Sequence, residues 1–216
     1  STFPLPVPHL AHLLPGRLRQ RIEQRVAALR IPAFTLPAAL ARVAARLPQR
    51  VKRFLVMGGA VTCHGNITPA AEFNIAFDPE AAHVVFTSFP HIEVADWEAT
   101  VAHGLLHADV EKWLAADTDK ARFYELISRQ TRLWSEDSRG ERWFAADALA
   151  MAWALQPEGA LRVESRPLNV ELAGVHSRGA TIVDWNRQTG QPDNTQLLMA
   201  YDQGRFEAQV RAALGV

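Results

Sequence analysis

Apolar residues recur every three or four positions over residues 17–29, at Leu18, Ile22, Val26 and Leu29, the spacing of an amphipathic helix. A short strand is expected over 31–35. Pro37 then opens a second helix with Leu40, Val43, Ala44 and Leu47 on one face, and Pro48 stops it. The apolar run 51–57 reads as a strand ending in Gly58-Gly59. Asp78-Pro79-Glu80 has the order cap, first-position proline and first-turn acid, so a helix starts there and runs to about Thr87. A strand is expected over 92–94, then helices near 109–116, 120–135 and 141–155. Asp117-Thr118-Asp119 reads as the cap of the second of these helices. Strands near 168–172 and 180–185 and a last helix over 203–214 complete the pattern. Helices alternating with short apolar strands predict an α/β fold, layered helix–sheet–helix around a mostly parallel sheet. There are no internal repeats and no low-complexity tract. One domain is expected over 1–216, with a Pro-rich irregular lead-in at 1–16 and a variable helical region at 95–145.

Composition narrows this reading. A chain of 216 residues that is 48% hydrophobic can bury one core. No apolar run approaches the roughly 18 residues of a membrane span. The opening STFPLPVPHLAHLLPG lacks the basic region and small-residue cleavage site of a signal peptide. A single cysteine, Cys63, excludes an internal disulfide framework and suits a reducing compartment, so the cytoplasm is the expected location. Cys63 and His64 are chain neighbours that point to opposite faces of an extended segment, which argues against a nucleophilic pair. Net charge is zero but uneven: residues 1–53 hold ten Lys/Arg and one acid, Glu23. Such a basic end fits solvated amphipathic helices, a nucleic-acid face, or a surface that meets an acidic segment.

Two places carry candidate chemistry. The block Gly65–Asn74, GNITPAAEFN, lacks helical periodicity and follows a strand end, so Asn66, Glu72 and Asn74 can converge on one polyhydroxylated ligand. The second is Asp147, the only charged side chain in WFAADALAMAWAL (143–155). A carboxylate buried there needs a partner. It either caps a helix beginning at Ala148, or ligates a hard cation such as calcium, or pairs with a cation; spacing leaves these open.

Val56-Met57-Gly58-Gly59, Gly65-Asn66, Thr68-Pro69, Ala71-Glu72-Phe73-Asn74 and Asp78-Pro79-Glu80-Ala81-Ala82 together resemble the hallmark block of the inosine–uridine-preferring nucleoside hydrolases. The similarity continues at Asp147-Ala148-Leu149-Ala150-Met151-Ala152, at Val170-Glu171-Leu172-Ala173-Gly174, at Ser177-Arg178-Gly179 and at Thr181-Ile182-Val183-Asp184-Trp185. Upstream, Thr35-Leu36-Pro37 resembles the family's Thr-Gly-Pro segment.

The resemblance implies hydrolysis of the N-glycosidic bond of ribonucleosides. Calcium would grip the ribose hydroxyls and activate a water, and an oxocarbenium-like transition state would follow. It further implies that Asn66, Glu72 and Asn74 bind ribose hydroxyls, that Met57 lines the ribose pocket and that Phe73 packs beside it. Asp147 and the backbone carbonyl of Thr35 would be calcium ligands. Trp134 and Trp143 are candidates to stack on a base, with the core as the alternative for each. His64 is expected at the surface, and His103 and His107 in the variable region make no metal spacing.

The chain departs from the family pattern in two respects. The family's Asp-x-Asp-x-Gly-x-Asp-Asp strand end, which supplies the general base, has no counterpart in these residues, and Ala146 stands where a histidine often protonates the leaving base. The expectation is therefore a nucleoside hydrolase-like sheet without its first strand, completed by an N-terminal segment or by homo-oligomer partners. Its ligand would be a ribonucleoside or ribose, with no nucleic-acid polymer or membrane involved. Two functions fit: a ribonucleoside N-ribohydrolase, or a non-catalytic ribose-binding relative.

Overall fold

A computed structural model describes residues 51–62 and 64–216. The helices and strand expected over 17–47, the Thr35 carbonyl and Cys63 lie outside the described residues. In chain order the elements are β1 (Leu55–Met57), α1 (Phe73–Phe77), α2 (Pro79–Ser88), β2 (Ile92–Ala95) and α3 (Trp97–Ala102). Next come β3 (Leu105–Leu106), α4 (His107–Leu114), α5 (Asp119–Arg139), β4 (Arg142–Trp143) and α6 (Ala146–Leu155). A short helical turn at Pro157–Gly159 leads into β5 (Ala160–Arg166), β6 (Leu168–Val170), β7 (Thr181–Val183), β8 (Thr195–Tyr201) and α7 (Gln203–Leu214).

The central sheet has the order β1-β2-β8-β5, with β1, β2 and β8 parallel and β5 antiparallel to β8. Successive residues of its inner strands enter opposite cores. Val94 and Leu197 belong to one apolar cluster with Ile75, Phe86 and Leu168. Ala95 and Leu198 belong to the other, with Leu149, Trp153, Tyr201 and Phe206. This period of two, with both faces apolar, is what a sheet covered on both sides requires. α2 and β6 lie on one side, while α3 and α6 pack on the strands from the other. The fold is α/β with a mixed, mostly parallel sheet.

Local chemistry sets the helix ends. The Asp78 carboxylate accepts the Ala81 N–H at 3.0 Å ahead of Pro79, so α2 starts where the sequence predicts. Thr118 does the same for Ala121 at 3.0 Å, and α5 stops at Gly140 with φ 80°. Arg53 ties the entry of β1 to its surroundings. Its guanidinium meets both Glu93 oxygens and the carbonyls of Trp153 and Ala154 at the end of α6.

Several expectations change. Residues 195–201, absent from the predicted strands, form the central strand β8, and β5 and α3 were likewise unforeseen. The strands expected near 168–172 and 180–185 exist as β6 and β7, but they pair antiparallel with each other outside the central sheet. The helix expected over 141–155 begins at Ala146, because residues 142–143 pair with β3. The one-turn helix α1 starts at Phe73, inside the end of the signature block, and runs beyond it to Phe77, although no periodicity marks it. Asp147 does not cap a helix starting at Ala148. It sits in the first turn of α6, exposed, and the cap position is Ala145, which makes no side-chain bond. Among the described residues no helix is long and apolar enough to cross a membrane.

Candidate functional site

β1 and β2 end side by side at Met57 and Ala95. In parallel sheets the carboxyl ends of the strands open toward the loops, where ligands bind. The chain leaves β1 through a loop whose backbone is tied at every residue from Gly58 to Thr62. Gly58 N–H donates to the Ala95 carbonyl at 3.2 Å, and the Gly59 carbonyl accepts from Trp97 at 2.8 Å. Gly59 N–H donates to Glu72 Oε2 at 3.1 Å. The Thr181 hydroxyl accepts from Ala60 N–H at 3.0 Å and donates to the Ala60 carbonyl at 2.9 Å. The Glu98 carboxylate accepts the N–H groups of Val61 (3.0 Å) and Thr62, and Trp185 Nε1 donates to the Val61 carbonyl at 3.3 Å. Gly59 has φ +88°, and a Cβ there would lie 3.0 Å from Thr181 Cγ2. Only glycine fits both requirements.

The signature block folds back onto this loop. Asn66 and Ile67 N–H groups both reach the Ala71 carbonyl, at 3.2 and 3.3 Å, while Thr68 Oγ1 accepts Ala71 N–H at 2.9 Å. A Cβ on Gly65 would come within 2.3 Å of Ala71 backbone atoms, so the turn needs glycine there too. Asn66 Oδ1 accepts Phe73 N–H at 2.8 Å. Glu72 is 2% exposed and caps α1: Oε2 takes Asn74 N–H at 2.9 Å and Ile75 N–H at 3.4 Å besides that of Gly59. Burial pushes the Glu72 carboxyl above the ordinary carboxylate range, against its bonds from Asn74, Gly59, Ile75 and the Asn66 side chain. Asn74 Nδ2 donates to Met57 carbonyl and Sδ at 3.3 and 3.2 Å. Met57, Asn66, Glu72, Phe73 and Asn74 thus form one hydrogen-bonded group at the strand end. Phe73, 49% exposed, lies 6.0 Å from Phe77, ring to ring.

The other predicted residues fall elsewhere. Asp147 takes no part in this network. Trp143 is buried in the core, 5.9 Å from the Tyr124 ring, so base stacking by it is excluded. Trp134 is exposed and stands against the Arg139 guanidinium at 4.8 Å, which also faces Trp97 at 5.0 Å. His64 is exposed. His103 is buried, its ring nitrogens at 2.7 Å from the Ala99 carbonyl and 2.8 Å from the Tyr201 carbonyl.

A model of the inosine-uridine preferring nucleoside hydrolases matches residues 13–208. The chain belongs to this family. It is 34% identical over 165 residues to the pyrimidine-specific ribonucleoside hydrolase RihA of Enterobacter sp. (strain 638), covering 74% of this chain and 51% of that protein. The protein of that name from Salmonella enteritidis PT4 is 33% identical, with the same coverage. Among solved structures, an inosine-guanosine nucleoside hydrolase superposes with a TM-score of 0.77 at 25% identity, over 84% of this chain and 59% of that one. The purine-preferring ribonucleoside hydrolase from Gardnerella vaginalis gives 0.75 at 25% identity, over 84% and 57%. The chain spans about half the length of the curated relatives it matches.

Calcium, which the resemblance implies, takes roughly six to eight oxygen ligands. Among the described residues no three His, Cys, Asp or Glu gather as a metal site, and the exposed Asp147 offers one carboxylate. The described residues alone do not fit the ion.

For a nucleoside hydrolase, the supporting residues that the sequence reading missed are Asp96, Glu98, Thr181 and Trp185. Thr181 and Trp185 are marked in the sequence only by the family resemblance over Thr181–Trp185. The one local signal was Asp96, three residues before the Ala99 N–H that it caps at 2.7 Å.

Proposed function

We propose that this chain carries the sugar-gripping part of a ribonucleoside N-ribohydrolase site. The observation that carries the reading is the signature block, tied to the β1 exit at the carboxyl edge of the sheet in a chain of this family. The related hydrolases differ in the base named for each, pyrimidine in one and purine in another, and share ribose. Ribose is therefore the moiety a shared block would grip. Asn66 and Asn74 offer carboxamides, and Glu72 a carboxyl whose position is fixed by backbone amides. Met57 and Phe73 supply apolar contact to the sugar ring. A site built to bond hydroxyls rejects strongly a ligand lacking them, because its own groups are left unpaired.

In the reaction, water attacks the anomeric carbon. The C–N bond breaks with its electron pair going to the base, and the departing base takes up a proton. Ala146 can donate none, so this chain leaves that proton to solvent or to residues outside the described set. Calcium held by Asp147 and the Thr35 carbonyl would need further ligands from beyond the described residues. The partner is accordingly a ribonucleoside, with a homo-oligomer or an N-terminal segment completing the site, in the cytoplasm.

The test is direct. Inosine or uridine is incubated with the protein and calcium, and released ribose is measured as reducing sugar. Release that falls in Asn74→Ala supports the reading. Ribose-dependent thermal stabilisation without release favours the binding relative, a reading that Ala146 supports. Neither release nor a ribose shift would remove both.

A further inference from the structure

β6 and β7 form a two-stranded hairpin of their own, and it touches the signature region from two sides. On the β1 side, Thr181 is 6% exposed and its one hydroxyl holds both backbone groups of Ala60. Just past β7, Trp185 Nε1 donates to the Val61 carbonyl. On the α1 side, Gly179 has φ +83° and packs so closely that a Cβ there would lie 3.0 Å from Ala76 Cα. Beside it, Arg178 Nη2 reaches both Glu80 oxygens in the first turn of α2, at 2.7 and 2.8 Å.

The N–H and carbonyl of one trans peptide point opposite ways, so bonds to both fix its plane. The Gly59–Ala60 peptide is held in this manner. Its carbonyl accepts the Trp97 N–H at 2.8 Å, and its N–H donates to Thr181 at 3.0 Å. The clamp sits beside the residue that needs it most, because a glycine leaves its neighbouring peptides free to turn. Gly59 N–H in turn donates to Glu72 Oε2 at 3.1 Å, the oxygen that also takes the Asn74 and Ile75 amides. A continuous line of contacts therefore runs from Thr181 through Ala60 and Gly59 to Glu72 and Asn74.

We propose that the β6–β7 hairpin is the positioning element of the ribose grip, and that it acts through the Thr181 hydroxyl. The consequence for ribose rests on the ribose reading of the block, whereas the coupling from Thr181 to Glu72 stands on the contacts themselves. Thr181 is a positioning residue: it orients the Gly59 amide, and that amide orients Glu72. The coupling is reciprocal. A clamp that strengthens ribose binding by some factor is itself strengthened by ribose by the same factor.

The test measures D-ribose binding by calorimetry in the full chain, with calcium present and well below the unfolding temperature. Thr181→Val keeps the shape of the side chain without its hydroxyl, and Thr181→Ser keeps the hydroxyl. Thr181→Val should bind ribose at least about fivefold more weakly, the lower end of ordinary coupling between sites, and Thr181→Ser should regain most of that loss. The Gly59 amide and the Glu72 side-chain carboxyl carbon should shift together in Thr181→Val and return in Thr181→Ser, a signature that lowered stability alone does not produce. Wild-type affinity in Thr181→Val, unmoved Gly59 and Glu72 resonances, or a Thr181→Ser protein no better than Thr181→Val would each overturn the proposal. Should Thr181→Val fail to fold, hydrogen exchange in the wild type decides. Saturating ribose should slow exchange of the Ala60 amide by at least the same factor of about five, and unchanged exchange there would overturn it. A wild-type chain that binds no ribose removes the ribose reading, and the Gly59 and Glu72 resonances then decide the coupling by themselves.

Discussion

Glu72 shows how one side chain can be both a candidate ligand and a structural member. The resemblance makes it a ribose contact. Its burial and its three backbone amides make it part of the fold as well. Glu72→Ala should lower stability by about 1–3 kcal/mol, because three buried donors lose their acceptor. Denaturant titration of the two proteins checks this, and equal midpoints would contradict it. Asp96 bears on pH in the same way. Its folded value lies above the unfolded 3.8, so its contribution to stability is fully present below that value and is lost as pH rises through about 8. Unfolding free energy should therefore fall by up to about 1.4 kcal/mol per pH unit across that window, relative to Asp96→Asn. Parallel stability curves for the two proteins from acid to alkaline pH would refute the assignment.

At the scale of elements, the loop after β1 is held as one piece, because every residue from Gly58 to Thr62 is bonded to a group outside the loop. Thr181, on β7, holds both backbone groups of Ala60. Thr181→Val should cost about 1–3 kcal/mol by leaving the buried Ala60 amide unpaired. Faster amide exchange at Ala60 with β2 unaffected is the expected signature. Gly59→Ala should be at least as damaging, since it combines a positive φ with a contact on Thr181 Cγ2. Double substitution at Gly59 and Thr181 should be clearly non-additive, because the same contact is involved. Helix ends are more ordinary. Thr118→Ala should remove about 1 kcal/mol through loss of the α5 cap, which thermal unfolding would register.

At the scale of the molecule, β8 lies between β2 and β5 and joins the two apolar clusters. Leu197 faces one and Leu198 the other, at 0% and 1% exposure. Truncation of either to alanine should cost about 2–5 kcal/mol. Because the two side chains sit in separate cores, the costs should nearly add, and the double variant should be unfolded at room temperature. A double variant no less stable than one of the single variants would mean the sheet does not separate two cores.

The sequence by itself determined whatever is local. The Asp-Pro-Glu start of α2, the Thr118 cap of α5, the 203–214 helix and the apolar runs of β1 and β2 are written in neighbouring residues. So is the Gly65–Asn74 block, whose glycine, threonine and acid set its own turn and cap. The tertiary structure decided the rest. No periodicity marks TQLLMAY as the central strand, since only pairing with β2 and β5 makes it one. Nothing near Ala60, Val61 and Thr62 in the chain announces Glu98, Thr181 or Trp185, which reach that segment across 36 to 124 positions. The upward shift of the Asp96 carboxyl has the same origin, since burial, its main cause, exists only after distant segments have packed.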